Sequence, residues 1–452
     1  MKRNRYVINL GQGAIWTVCL CFAFNARADG IYGNGVGARS MAMGGADVAY
    51  AADPLGAMAV NPGALGFLTA PEFNLGAIGG FADGTFNKPG ISNGSTMAGG
   101  ALPEGAFAMP VGKSPVVVGI SFVPESSQLV NWHYNDPPGG LGGATSYGYQ
   151  QDQSEILALR SAFGVAVKFT PEFSFGASVG AVYNENKLTT PYIFQNLSPG
   201  GPGQPANSAL DGAKTLLSLH TSGYGWNGMA GMVWRPLPDL QFGLSYESET
   251  QINSTGTASG DPSLQLGLPM GTVPFHYDAA VKTVLPQQVK AGVSWQFHPQ
   301  WRLALQLDWI DYKDAFQTLP LSFSNGNNPT TNHALGSSFN EAVPLNWQSE
   351  FVYRAGIEFN VTDNLVLRTG YAYGGSPVPN STLTPMNAAI LENTFTAGIG
   401  YHWDRYSVDF AYQYDLPATQ NIGTSGLLSG EYSNSSVKVS AQTFALTTTM
   451  RF

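Results

Sequence analysis

Only two cysteines occur in the 452 residues, Cys19 and Cys21, and both lie inside an apolar amino-terminal stretch. A chain exported without that stretch carries no thiol, disulfide or cysteine-bound metal. Long hydrophobic runs are missing too: beyond the amino-terminus, none reaches the ~18 consecutive apolar residues that a membrane-spanning helix requires. Charged residues make up 11% of the chain, and acids outnumber bases by 30 to 21. A surface of that sign does not attract nucleic acid, so no nucleic-acid partner is expected. His133, His220, His276, His298, His333 and His402 are scattered without the paired spacing of a zinc site or a Ser/His/Asp arrangement, and there is no phosphate loop. No catalytic residue, metal or cofactor is expected from this pattern.

Lys2, Arg3 and Arg5 precede apolar residues 14–24, and Ala26-Arg27-Ala28 follows with the small-x-small pattern of a secretory cleavage site. Residues 1–28 therefore read as a removable signal peptide, with a mature chain starting at Asp29. Its removal takes four bases and no acid, leaving 17 basic against 30 acidic residues and a net charge of −13. The 55 glycines and 54 aromatic residues suit strands and membrane girdles better than helices.

The last ten residues, Thr443 to Phe452, alternate polar and apolar and stop on an aromatic, as the closing strand of an outer-membrane β-barrel does. The same alternation is clearest in Trp301, Leu303, Leu305, Leu307 and Trp309, and in Tyr406, Val408, Phe410, Tyr412 and Tyr414. Similar runs start near Glu72, Ala101, Val116, Ser154, Phe173, Lys214, Leu240, Pro274, Asn346, Leu365, Leu391 and Asn434, giving about fourteen strands. Residues 274–297 count as one strand with a break at Pro286, because both chain ends on the periplasmic side demand an even number. Short turns then alternate with long connections at 87–100, 125–153, 191–213, 256–273, 317–345, 379–390 and 417–433. The expectation is an all-β, transmembrane antiparallel barrel over residues 72–452, multi-pass in the bacterial outer membrane. Residues 29–71 are rich in Gly and Ala, lack alternation and read as an amino-terminal plug for a lumen too wide for side chains to fill.

Gly35-x-Gly37-x-Arg39, Gly44-Gly45-Ala46, Ala51-Ala52-Asp53 and Asn61-Pro62-Gly63-Ala64 resemble the amino-terminal hatch of the FadL/TodX family of outer-membrane transporters for long-chain fatty acids and hydrophobic compounds. The runs Leu365 to Tyr373, Ser376-Pro377-Val378-Pro379 and Thr396 to Tyr401 resemble its carboxy-terminal half. Many relatives carry Asn-Pro-Ala where this chain has Asn61-Pro62-Gly63. The resemblance implies passive, ligand-gated diffusion: capture on outer loops, an internal pocket touched by the hatch, and lateral exit where the third strand kinks. Gly119 and Pro124 lie on that strand as the gate candidates, with ordinary strand-end roles as the alternative.

Leu210 and Leu217, with Leu264, Leu266, Leu268 and Met270 in the next loop, read as an apolar capture surface or as packing between loops. Alternation places Arg160, and on the eighth strand His276, Asp278 and Lys282, inward. Arg160 and Lys282 are the candidate partners of a ligand carboxylate, or else pair with wall and plug acids. Lys290, Arg302, Arg354, Glu358, Arg405 and Arg451 cluster near the turns and are expected to hold the plug. Met41, Met43, Met58, Leu65 and Phe67 either line an inner pocket or form the plug's own core.

The expected activity is uptake of hydrophobic molecules, first long-chain fatty acids and alternatively aromatic hydrocarbons. Outer-membrane lipid, and the barrel-assembly machinery through Phe452, are the expected partners of a monomer. A scaffold for secretion or attachment is the alternative of another class. A general porin would lack residues 29–71, and an outer-membrane phospholipase or deacylase is the one enzymatic class that shares the architecture.

Overall fold

The computed structural model describes residues 30–89, 91–136, 148–193, 214–427, 430 and 432–452. The expected leader, residues 1–28, lies outside the described residues. The alternating segments form one antiparallel sheet that closes on itself, since Glu72–Lys88 (β1) pairs both with Ile91–Pro110 (β2) and with the last strand, Ser435–Arg451 (β14). Between them run β3 (Val116–Asp136), β4 (Gly148–Lys168), β5 (Phe173–Ile193) and β6 (Lys214–Leu237). Four strands then come in two pieces each: β7 (Leu240–Glu247, Thr250–Gly260), β8 (Phe275–Leu285, Gln288–His298), β9 (Trp301–Ile310, Thr318–Ser324) and β10 (Phe339–Pro344, Glu350–Asn360). The wall is completed by β11 (Leu365–Gly374), β12 (Asn393–Trp403) and β13 (Tyr406–Ile422). Closure gives every strand a neighbour on both sides, so the sheet has no free edge strand in lipid.

The fourteen strands follow the fourteen alternating runs, with three corrections to their starts. Ile91, Gly148 and Phe339 open strands expected near Ala101, Ser154 and Asn346. The connection expected at 87–100 is thereby reduced to a tight turn, so long and short connections do not alternate without exception. The ladder between β1 and β2 is built by backbone groups, and Ser92-Asn93-Gly94-Ser95-Thr96 can join it without carrying a hydrophobic pattern.

Six strands carry a slip that exchanges their two faces. On β7 the buried positions are odd from Gln241 to Glu247 and even from Thr250 to Ser254. The same exchange occurs across Pro286-Gln287 on β8, across 311–317 on β9 and across 345–349 on β10. On β3 it is made by a bulge at Glu125, between the pairs Pro124–Leu159 and Ser126–Ala158, and on β13 by another between Asp415 and Ala418. The exposed large apolar residues of β7 to β10, among them Phe242, Tyr246, Trp295, Trp301, Leu305, Phe351 and Tyr353, all lie on the turn side of these breaks. That side faces lipid outward and encloses polar residues such as Gln288, Lys290, Gln306, Asp308 and Arg354. On the far side the order reverses. Phe275, Tyr277, Val281, Leu285 and Phe323 point inward, while His276, Asp278 and Lys282 are exposed.

The broken zone is stitched by side chains. Gln287 donates from Nε2 to Asp311 Oδ2 at 2.9 Å, and Ser349 Oγ donates to Asp311 Oδ1 at 2.8 Å. Tyr246 Oη donates to Gln287 Oε1 at 3.0 Å.

Residues 30–71 hold two short helices, α1 (Ala38–Ala42) and α2 (Pro54–Val60), and a 3-10 turn at Pro62–Phe67. Asp53 caps α2 by accepting from Gly56 N at 2.8 Å, and Pro54 sits at the first helical position, where its missing donor costs nothing. These elements pack against inward-facing residues of the wall, where Ala38, Leu55 and Met58 are completely buried.

Deleting Glu125 would remove the slip of β3 and turn Val130, Trp132 and Tyr134 out of the lumen. The expected outcome is loss of the compact, heat-modifiable band on unboiled gels; an unchanged band would mean that this slip is dispensable.

Candidate functional site

The amino-terminal segment is held by charged and amide groups from the turn side of the barrel. Arg354 donates to Asp308 Oδ2 at 2.7 Å, to Asn34 Oδ1 at 2.6 Å and to Gly44 O at 3.1 Å, tying β9, β10 and the segment together. Arg368 bridges Glu358 at 2.7 Å and Asp409 at 2.5 Å, and Arg39 reaches the same Glu358 at 3.4 Å. Arg302 stacks over the Tyr50 ring at 3.7 Å, and Arg235 over Phe67 at 3.5 Å. On the opposite side Glu104 accepts from Gly37 N at 3.1 Å, and Thr447 Oγ1 accepts from Ala38 N at 2.8 Å. Arg451 instead pairs with Glu72 at 3.1 Å, and Arg405 is exposed.

The Asn61-Pro62-Gly63 turn sits against β6. Asn61 Nδ2 donates to Val48 O at 2.7 Å and Met232 O at 3.0 Å, while its Oδ1 accepts from Gly63 N at 3.0 Å. A Cβ on Gly63 would lie 2.6 Å from Gly231 O and 2.8 Å from Met232 Cα, so the wall leaves no room for the alanine of the Asn-Pro-Ala pattern. Burial raises the Asp47 carboxyl to about 6, and Ser40, Arg39 and Lys290 offset only part of that penalty.

Above Ile31, on the far side of the breaks, lies a cavity of about 400 Å³. Leu188, Leu217, Leu285, Leu319, Leu321, Phe316, Phe323 and Trp347 give it an apolar wall, and Met386 and Leu427 reach it from outer connections. Lys187 is the one basic residue among the described lining residues, and its ammonium is committed to Glu185 at 3.3 Å and Glu155 at 3.5 Å. Residues 137–147, 194–213, 428–429 and 431, which lie outside the described residues, contain no Lys or Arg.

The head-group candidates do not meet in this cavity. Arg160 is buried lower in the barrel, with Nε on Asn227 Oδ1 at 2.8 Å, Nη2 on Ser178 Oγ at 3.1 Å and Nη1 on Met58 O at 3.4 Å. Glu247 and Glu125 flank it at 3.9 and 4.0 Å. Lys282 is turned outward, as are His276 and Asp278, which corrects the inward placement expected for all three. The even positions Gln288 and Ser294 are buried beyond Pro286, and the slip there makes the odd positions 275–285 the inward ones.

Met41, Met43, Met58 and Leu65 are buried between the segment and the wall and do not line the cavity. Met58 and Leu65 pack with Ala108, Val117 and Ala166, and Phe67 lies at the edge of that cluster. Gly119 is part of this seat: a Cβ there would stand 3.1 Å from Met58 Sδ. Leu217 belongs to the cavity wall, with Leu266 packed against the same cluster, whereas Leu268 and Met270 are exposed and Leu264 is half-buried. Leu210 lies outside the described residues. Sequence reasoning passed over Trp347, Phe316, Tyr192 and Glu341, although an apolar stretch in an outer connection, such as Met386 to Leu391, was the signal available.

One ladder of the wall lapses beside the amino-terminal segment. Pairing of β2 with β3 stops at Thr96–Trp132 and resumes at Gly105–Phe122, leaving residues 97–104 and 123–131 without a register, while β3 stays paired with β4 throughout. Pro124 and the Glu125 bulge stand at the turn-side end of this lapse, and Gly119 lies outside it in regular pairing. Leu102 and Leu129, from its two edges, pack in one cluster with Met41.

A closed barrel with an apolar outer belt, a filled lumen and a greasy internal cavity defines an outer-membrane transporter of hydrophobic substrates. The family model described as outer membrane protein transport protein (OMPP1/FadL/TodX) matches residues 19–452, and the chain belongs to that family. It is 23% identical over 365 residues to a long-chain fatty acid transport protein of Escherichia coli (strain K12), covering 73% of this chain and 74% of that one. Its fold is similar to that of a Pseudomonas aeruginosa FadL homologue, with a TM-score of 0.73 at 18% identity over 94% of this chain and 100% of the other. It is likewise similar to the Pseudomonas putida toluene transporter TodX, with a TM-score of 0.72 at 19% identity over 94% and 100% of the two chains.

Gly63→Ala is expected to cost about 1–3 kcal/mol through overpacking against β6. Faster proteolysis of the amino-terminal segment in an otherwise folded barrel is the readout, and unaltered protection would refute the steric argument. For Asp47, whose folded value of about 6 exceeds the ordinary 3.8, the penalty is absent below pH 3.8 and grows until pH 6 is passed. Asp47→Asn should therefore stabilise the protein at pH 8, by up to roughly 3 kcal/mol, and that advantage should vanish in melts near pH 4.

Proposed function

We propose that the protein admits hydrophobic molecules without a carboxylate from outside the cell to its apolar cavity and releases them sideways through the lapse between β2 and β3, by passive diffusion gated by the amino-terminal segment. The carrying observation is the cavity itself, apolar and without an uncommitted cation among its described lining residues. An apolar molecule gains free energy on leaving water for such a wall, whereas a carboxylate buried there without a partner loses several kcal/mol. Aromatic side chains at Phe316, Phe323, Trp347 and Tyr432 favour ligands of aromatic-hydrocarbon type.

The amino-terminal segment serves as the plug in this reading. Its anchoring to Arg354, Glu358 and Glu104 fills the polar part of the lumen, so a ligand cannot continue straight down. The lapse lies next to the plug, with Val123 and Pro124 lining a smaller cavity shared with Tyr32 and Val36. Lateral release into lipid avoids returning the ligand to water. Uptake of long-chain fatty acids is the second reading, favoured by the names of the curated relatives.

Uptake of labelled toluene and labelled oleate, by cells lacking their own transporter, separates these readings. Toluene-selective uptake is expected; oleate-selective uptake would overturn the cavity argument. A disulfide between Leu102→Cys and Leu129→Cys should block uptake when oxidised and restore it on reduction. Undiminished uptake in the oxidised form would refute lateral release.

A further inference from the structure

We propose that the cavity selects hydrophobic molecules that carry a hydrogen-bond donor, a phenol or an amine, through the carboxylate of Glu341. This rests on the reading of the cavity as the ligand site. Glu341 is the one acidic residue among the described lining residues, and it belongs to the inward-facing row of β10 with Phe339 and Val343. Leu321 stands opposite it in the ladder and also lines the cavity. Tyr192 lines the same cavity, and Glu341 Oε2 is buried with no hydrogen-bond partner.

A buried carboxylate oxygen with an open lone pair, set in an apolar wall, is costly unless something donates to it. Among the described lining residues the one base is Lys187, whose ammonium is engaged by Glu155 and Glu185, and Lys282 faces outward. The donor can therefore come from the ligand. A phenolic hydroxyl or an ammonium aimed at Glu341 Oε2 makes a charge-assisted bond, while its ring or chain lies against Leu319, Leu321, Phe323 and Val343. A ligand carboxylate at the same place would meet like charge.

The test uses the purified full-length barrel in detergent and a matched probe series of toluene, p-cresol, benzylamine and p-toluate, with binding followed by tryptophan fluorescence. In the wild type, p-cresol and benzylamine are expected to bind about ten times more tightly than toluene, and p-toluate more weakly than toluene. Glu341→Leu should remove both preferences and relax the rejection of p-toluate relative to toluene. Glu341→Gln should keep a weakened preference for p-cresol and lose that for benzylamine. Equal affinity of the wild type for toluene and p-cresol would overturn the role of Glu341. Failure of toluene itself to bind would instead overturn the reading of the cavity, so the two failures are distinct. Unchanged selectivity in folded Glu341→Leu would also refute the proposal.

Discussion

A β-strand has two faces, and the medium on each side of a barrel decides what each face must carry. Lipid outside requires apolar outward residues, which leaves polar ones to meet the amino-terminal segment within. Beyond the outer edge of the membrane the outside is water, while the inside must be apolar to hold a hydrophobic molecule. The two requirements are opposite, and a strand of strict period two cannot satisfy both with one composition. The one-residue slips on β3, β7, β8, β9, β10 and β13 reconcile them, and much of the site's arrangement follows from that reversal. Strands without a slip change composition instead: β14 turns Thr447 and Thr443 inward low in the barrel but Val439 and Val437 higher up.

The polar half of the lumen is organised by buried ion pairs. Arg354 with Asp308, and Arg368 with Glu358 and Asp409, carry charges whose desolvation largely offsets their attraction. What they contribute is placement: Arg354 also holds Asn34 and the Gly44 carbonyl of the amino-terminal segment, and Arg368 fixes the Glu358 carboxylate that Arg39 of the segment reaches. The glycines of that segment serve the same fit. Gly44 adopts a φ of 66°, and a Cβ there would stand 2.9 Å from Tyr371 N. A close approach between segment and wall therefore requires glycine at this position.

Much of this was legible in the chain itself. The closing decamer, the alternating runs, the break at Pro286 and the absence of alternation in residues 29–71 all describe local properties that survive folding. The family motifs extended that reading to a transporter. Arg302, Arg354 and Glu358 were also readable as anchors from their inward parity near the turns, whereas Arg405 and Arg451, expected beside them, lie away from the segment, and Arg368 was passed over. The cavity was not legible. Its wall is assembled from β3, β4, β5, β6, β8, β9, β10 and two outer connections, so no segment carries its signature, and Glu341 in sequence is one acid in a short strand of mixed character.

What the sequence by itself determined is the number of strands, their antiparallel order, the lipid belt near the turns and the exported, outer-membrane class of the protein. These follow from period-two patterning and end signals, which depend only on neighbouring residues. What only the tertiary structure decided is which face points inward beyond each slip, and hence that Lys282 is outside and Glu341 inside. A bulge shifts parity by one residue, and the alternation on its two sides looks the same in sequence. The sense of inward is fixed only when the barrel closes and each strand must match its neighbours.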